Sequence, residues 1–427
     1  MFTSIKSFLR NLIVRSQSYT GTDNLYIARG GFWLSTSFVF NSLLSLGLVI
    51  AFANLVPKEV YGTYKYILSI AGILGFLTVT GMNGAISQMV AQGHRGLLPY
   101  SVGVQIRWNL LYTIGSLIIA TYYGVQGNLL LAFGITLLGV TFPIITACNT
   151  YGAYLTGRRD FKRATIIGVT LSLTQSLLTL IVIIVIPTVP AFLLVYSLGT
   201  LIPAIYFCIK IMGEDRAEVN PKDKFTLKKY AGHLTLMNIL STVDSYLDKV
   251  LLFQNVGSVQ LATYTLALAG PERIRGYLKS IGVIFLPRLA ERSLKDIRRS
   301  YYIRVGQGIL VGLVVAGAYW VIAPYLFTIF LPRYTDAIPF SRALGLVNAL
   351  IIPAAYMGGI FRAHRMVRAL YLSSVGGHGF RILAYIILTP LFGIWGLVYA
   401  TLATYVLGLI YNTILWEYFS RRLLRIN

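Results

Sequence analysis

Residues 271–279 read Pro-Glu-Arg-Ile-Arg-Gly-Tyr-Leu-Lys, with three cations and one anion. Apolar sequence flanks them, Leu261–Ala269 before and Ser280–Leu286 after, so 261–287 is long enough to cross a bilayer. A charged side chain at membrane depth costs at least about 2.5–3.5 kcal/mol on insertion scales. A water-filled cavity, a partner charge or an ionic ligand has to offset that cost. Two readings are open. Either 261–287 is a span whose charges face a cavity, which its length favours, or 271–279 is a cytoplasmic loop beside a broken or interfacial helix. The choice sets the number of helices.

The rest of the chain fixes the class. Of 427 residues, 56% are hydrophobic and only 12% charged, with a mean hydropathy of +0.70. A soluble domain carries about 25% charged residues. The sequence is that of an all-α polytopic membrane protein, because its apolar runs are continuous and of helical length rather than alternating as in a barrel. The net charge of +23 is scattered over many loops. Topology and anionic lipid explain it better than a nucleic-acid-binding tail. Cys148 and Cys208 fall in apolar runs, and neither they nor the four histidines have metal or disulfide spacing. No cofactor or metal is implied. Segment 1–31 is basic and lacks the apolar core of a cleavable signal peptide; Phe2, Ile5, Leu9, Leu12 and Ile13 fit the stripe of a surface amphipathic helix, and a disordered basic tail is the alternative reading.

Twelve spans are expected, among them roughly 32–55, 66–90, 231–254, 261–287 and 371–391. Lys and Arg concentrate in the N-terminus, the even-numbered loops and the C-terminus, whereas the odd loops hold only Lys58, Lys65 and Arg333. That asymmetry predicts both termini on the cytoplasmic side, N-in and C-in. The outer turns, such as Ile186–Pro190 and Thr389–Gly393, are too short to carry chemistry. The expected organisation is a six-helix half over 32–212, a charged linker over 213–230, a second six-helix half over 231–419 and a basic tail over 420–427. Two echoes relate the halves. Phe52–Tyr64 resembles Phe253–Tyr264, and Gly157–Ala164 resembles Phe361–Ala369. A parallel repeat of this kind is a transporter architecture.

Tyr61-Gly-Thr-Tyr64 after span 1, Asp248-Lys-Val-Leu-Leu252 in span 7, Phe285-Leu-Pro-Arg-Leu-Ala-Glu291 and Leu331-Pro-Arg-Tyr-Thr-Asp-Ala337 make the chain similar to the Wzx-like O-antigen and polysaccharide flippases of the MOP superfamily. The resemblance covers nearly the whole chain through loose, non-catalytic motifs. It implies a V-shaped pair of six-helix bundles and a multi-pass protein of the cell's inner membrane. It also implies an undecaprenyl-diphosphate-linked oligosaccharide as substrate, with the polysaccharide polymerase machinery as a candidate partner. The superfamily also holds multidrug exporters and lipid II flippases.

Candidate site residues are the polar groups inside the spans. Glu272, Arg275 and Lys279 fall within an arc of about 60° on a helix, and Arg273 points elsewhere. Pro271 is expected to kink this helix. An Arg–Lys face suits a diphosphate or acidic sugar, because guanidinium binds phosphate through two parallel hydrogen bonds. Span 7 carries a polar stripe of Ser241, Asp244, Ser245 and Asp248. Asp244, a lone acid near mid-membrane, is the candidate for coupling to H⁺ or Na⁺, with Asp248 beside it paired to Lys249. His378 and Arg381, within the glycine-rich 376–381, and Asn41, on a milder stripe in span 1, are further candidates for substrate contact. Arg107 and Arg342 are expected to reach the headgroups.

The expected function is flipping of a lipid-linked oligosaccharide to the outer leaflet by alternating access. A cation-coupled multidrug exporter would want an acidic cavity, and a membrane polymerase or ligase would want a substantial outer loop. A nucleotide-binding Gly-Lys-Ser/Thr loop is not found. The expectation is a transporter, not an enzyme.

Overall fold

In the computed structural model, which describes residues 24–215 and 217–426, the chain is a succession of helices. They run α1 (Asn24–Leu55), α2 (Lys58–Leu74), α3 (Met82–Ala91), α4 (Leu97–Trp108), α5 (Leu110–Val125), α6 (Leu129–Cys148), α7 (Thr150–Gly157), α8 (Phe161–Val185), α9 (Val189–Met212) and α10 (Pro221–Val256). Then follow α11 (Ser258–Glu291), α12 (Leu294–Phe330), α13 (Ile338–Gly345), α14 (Ile351–Ala363), α15 (Val367–Phe392) and α16 (Ile394–Ile426). The expected amphipathic segment Phe2–Ile13 lies outside the described residues.

Local chemistry accounts for the boundaries. Asn128 and Asp160 cap α6 and α8 by accepting from Leu131 N and Arg163 N. α4 and α5 form one span interrupted at Asn109, whose side-chain amide donates to Pro143 O (3.1 Å) and Thr146 Oγ1 (3.0 Å) on α6. Pro57 starts the second helix, a position where its missing N–H costs nothing. Hydropathy places span 2 at 66–90. Instead α2 begins at Lys58, runs through a 3₁₀ turn at Gly75–Leu77, and breaks before α3. Lys58 and Lys65, expected in an outer loop, are therefore helical. Residues 271–279 lie wholly within α11, so the loop reading is overturned, and the helix continues through Pro271. The expected linker 213–230 gives way at Pro221 to the start of α10.

Ten helical stretches among the described residues are long and apolar enough to cross a membrane. α10 and α11, with 36 and 34 residues, do not meet that measure because their middles are charged. At 1.5 Å per residue they are each about 50 Å long, ample for a bilayer. Apolar side chains such as Ile114, Ile118, Ile181 and Ile184 are exposed along the spans, as lipid-facing surfaces must be.

By internal contacts the described chain falls into two units. One comprises the residues up to Val49 and Gly75–Asn238. Its core gathers Met82, Ile86, Leu97, Tyr154, Cys208 and Leu227. The other comprises Ile50–Leu74 and Ile239–Asn427. Here Tyr301 stacks on Trp416 at 5.2 Å within a core that includes Met357 and Phe361. In the same unit α2 packs on α11. A Cβ at Gly62 would collide with Ser258 O of α11, and the Tyr66 ring stacks on Phe253 of α10 at 3.8 Å.

The second sequence echo has a backbone counterpart. The α7–α8 turn closes with Arg159 N→Thr156 O and Asp160 N→Leu155 O, and the α14–α15 turn with Arg365 N→Arg362 O and Met366 N→Phe361 O. Both are paired helix-ending bonds around a left-handed residue. In each, that residue is an arginine, Arg159 at φ 65° and Arg365 at φ 52°.

Candidate functional site

Asp244 on α10 has no exposed side-chain surface, and two groups from α15 meet it. Arg381 donates from Nε to Oδ1 (2.6 Å) and from Nη2 to Oδ2, and His378 Nδ1 lies 2.6 Å from Oδ2. His378 and Arg381 are three residues apart and so share a helix face. Gly376 lets that helix approach its neighbour, since a Cβ there would lie 2.8 Å from the Tyr411 ring of α16. The acid expected to be alone thus has two partners, and His378 and Arg381 sit with it.

One turn further along α10, Asp248 is buried between Lys249 and Tyr264. Lys249 Nζ lies 3.2 Å from both carboxylate oxygens, and the Tyr264 hydroxyl donates to Oδ2 at 2.9 Å. Lys65 of α2 is close enough to Lys249 and to Glu272 of α11 for their charges to interact. Sequence reasoning missed Lys65 and Tyr264. Pro57, taken as a helix start, would have carried Lys65 into a span.

On α11, Glu272 and Lys279 are exposed and Arg275 is partly buried. The Arg275 guanidinium lies 5.5 Å over the ring of Tyr405 on α16, yet its Nε and Nη2 are inaccessible and have no hydrogen-bond partner. Buried polar groups are almost always bonded, so these two nitrogens are free to take water or an anionic ligand. Lys279 is near enough to His378 for their charges to interact, which links the α11 face to the Asp244 cluster. Arg273 has other interactions within the protein. Asn41 lies in the other unit, where its amide donates to Ser37 Oγ at 3.3 Å.

The charges do not balance. Asp244 is occupied by Arg381, and Asp248 by Lys249. Glu272 is close enough to Lys65 and Lys249 for their charges to interact, and it shares its helix face with Arg275 and Lys279. Four helices (α2, α10, α11 and α15) bring a surplus of positive charge to segments that are otherwise apolar, and α16 adds the ring of Tyr405. Such a place attracts a multivalent anion.

The family model described as "Polysaccharide biosynthesis protein" matches residues 27–293. The chain belongs to the polysaccharide biosynthesis protein family. That is the family the sequence motifs resembled, and the match takes in Asp244, Asp248, Glu272, Arg275 and Lys279. No curated protein matches this family member by sequence. Among solved structures it is similar to the lipid II flippase MurJ in an inward closed conformation. The TM-score there is 0.66 at 13% identity over 89% of this chain and 86% of that one. It is also similar to an inward-facing multidrug resistance MATE transporter of the MOP superfamily, with TM-score 0.62 and 18% identity over 89% and 96%. A third is a MOP superfamily transporter from Pyrococcus furiosus described as having a binding pocket of reversed polarity, with TM-score 0.54 and 15% identity over 92% and 95%. The family member is a multi-pass membrane protein with the MOP-superfamily fold. Its solved neighbours are transporters and a flippase, not enzymes.

Proposed function

We propose that the protein is a flippase carrying an undecaprenyl-diphosphate-linked oligosaccharide from the cytoplasmic to the outer leaflet of the cell's inner membrane. The observation that carries this reading is the partly buried Arg275, two of whose guanidinium nitrogens are inaccessible and unpartnered beside a surplus of cations. The diphosphate is the part of such a substrate that needs this environment. Arg275 receives it through its planar fork, Lys279 adds a point charge, and Glu272 orients the pair or leaves them when substrate arrives. The sugar rides in the polar space, and the lipid tail stays in the bilayer.

Asp244 has a distinct role in this scheme. A diphosphate competes with its carboxylate for Arg381. Once released, Asp244 takes up H⁺ or Na⁺, so substrate and coupling ion exchange at one residue. The two six-helix halves then alternate access around the bound headgroup. Twelve spans with both termini cytoplasmic complete the proposal. A multidrug exporter of cations is disfavoured, because the acids that would bind a cation are held by Arg381 and Lys249.

The test is flipping itself. Purified protein in liposomes should move a fluorescent lipid-linked oligosaccharide across the bilayer, and the lipid without its diphosphate should not compete. Transport of organic cations, with no movement of the lipid-linked sugar, would refute the reading.

A further inference from the structure

We propose that a cleft in the first unit, between the end of α3, the α7–α8 turn and the start of the α9–α10 connection, binds a phosphate group. Its volume is about 550 Å³, and its polar lining includes His94, Arg95, Arg158, Arg159, Glu214 and Asp215. That volume suits a small ligand. The sign of the cleft follows from what its acids already do. Glu214 is clamped by Arg163 through two bonds of 2.6 Å, which hold its carboxyl below the ordinary range. Asp215 is buried and accepts from Gly96 N (2.8 Å) and Leu98 N (3.2 Å), tying down the start of α4. His94 pairs with Asp223 at 3.0 Å. Both acids of the lining are thus already engaged, and the arginines outnumber them.

Three arginines therefore set the potential. Arg95 and Arg158 are exposed at the lip. Arg158 leans on Tyr154, with Nη1 3.4 Å from its hydroxyl. Arg159 holds the left-handed conformation at φ 65°, where glycine is the low-cost residue. The turn keeps an arginine there in spite of its backbone preference. Three guanidinium groups around a polar cleft match the oxygens of a phosphate ester, which they grip through paired N–H donors. Val90, Ala91, Ala217 and the Tyr154 ring offer too little apolar surface for an acyl chain, so the ligand is a phosphate headgroup or a soluble phosphate compound. The cleft shares no residue with the Asp244–Arg275 cluster and belongs to the other unit.

The experiment follows the melting temperature of the full chain with two probes. Inorganic pyrophosphate is titrated in detergent, and phosphatidylglycerol is added to phosphatidylcholine nanodiscs. Stabilisation by pyrophosphate assigns the cleft to a soluble phosphate, and stabilisation by phosphatidylglycerol alone assigns it to a lipid headgroup. In either case Arg95→Ala/Arg158→Ala should weaken the effect about tenfold or more in ligand concentration, as loss of charged hydrogen bonds demands. Arg275→Ala should leave it intact, which separates this cleft from the proposed substrate site. Arg159→Gly supplies the folding control. It relieves a left-handed arginine, so the protein without ligand should melt no lower than wild type while its response to the probe falls. The proposal is overturned if neither probe stabilises the protein. It is equally overturned if the double variant responds as wild type does, or if only Arg275→Ala loses the response.

Discussion

The Asp244–Arg381 contact can be tested at the level of single side chains. Arg381→Ala leaves a carboxylate with no exposed surface and one fewer partner, a change that costs about 3–5 kcal/mol when a buried pair is broken. The double variant Asp244→Asn/Arg381→Gln should recover most of the lost melting temperature, because no charge is then stranded. If Asp244 couples transport to an ion gradient, the recovered protein folds but flips substrate independently of the gradient. Full gradient-dependent transport by the double variant would remove Asp244 from the mechanism. His364, in the turn after α14, makes a separate prediction. Burial lowers its pKa below the ordinary value near 6.5 and outweighs the opposing pull of the Leu289 backbone. The unfolded chain therefore binds a proton more readily than the folded one. The contribution of neutral His364 is complete above about pH 6.5 and is lost as pH falls through the lowered folded value. His364→Gln should flatten the fall in melting temperature between about pH 7 and 5; an unchanged pH profile would contradict this. The sequence made Asp244, His378, Arg381 and the α11 charges visible one at a time. It did not reveal that α15 delivers its pair to α10, because contacts between helices far apart in the chain leave no mark on helical spacing.

Among elements, α2 is one whose start the sequence reading missed. Hydropathy set its start too late because Lys58 and Lys65 lowered the local average, whereas backbone chemistry starts it directly after Pro57. Lys58 pairs with Asp336 at 3.1 Å and lies 4.5 Å over the Tyr334 ring, and Lys65 packs over Tyr61 at 5.3 Å. Both lysines thus have partners that permit them in a helix. The helix meets α11 through Gly62, where an added Cβ would collide with the Ser258 carbonyl, a backbone atom that cannot swing aside. Gly62→Ala should therefore destabilise the protein by about 1–3 kcal/mol, the usual cost of overpacking. A melting temperature equal to wild type would mean that α2 and α11 do not pack this closely. α10 and α11 carry the opposite lesson. Their charges hide them from a hydropathy measure, yet each is a continuous helix over the stretch where the sequence reading expected one.

For the whole molecule, the class, the helical fold and the family could be read from composition and motifs. The substrate site could be read only as a set of candidates, because charge balance depends on which acids are already paired. The topology is tested by single cysteines at exposed turn and helix-end positions. Gln126, Thr188 and Leu391 replaced by cysteine should react with an impermeant reagent added outside intact cells. Cysteines replacing Lys162, Lys222 and Arg368, which the twelve-span arrangement puts on the cytoplasmic face, should not react. Labelling of any of these three inner positions from outside would overturn the twelve-span arrangement with both termini cytoplasmic.

The central claim is that the partly buried guanidinium on α11 holds the diphosphate, and the most direct measurement is equilibrium binding of a lipid-linked oligosaccharide to protein in nanodiscs. Removing one partner of a desolvated, hydrogen-bonded charge pair costs about 2–5 kcal/mol, so Arg275→Ala should weaken binding by more than about tenfold. Arg275→Lys should restore only part of the affinity, since a point charge cannot reproduce the fork, and Arg273→Ala should bind nearly as wild type does. Protein level and melting temperature must stay near wild type for the comparison to hold. Wild-type affinity in a well-folded Arg275→Ala protein would contradict the account.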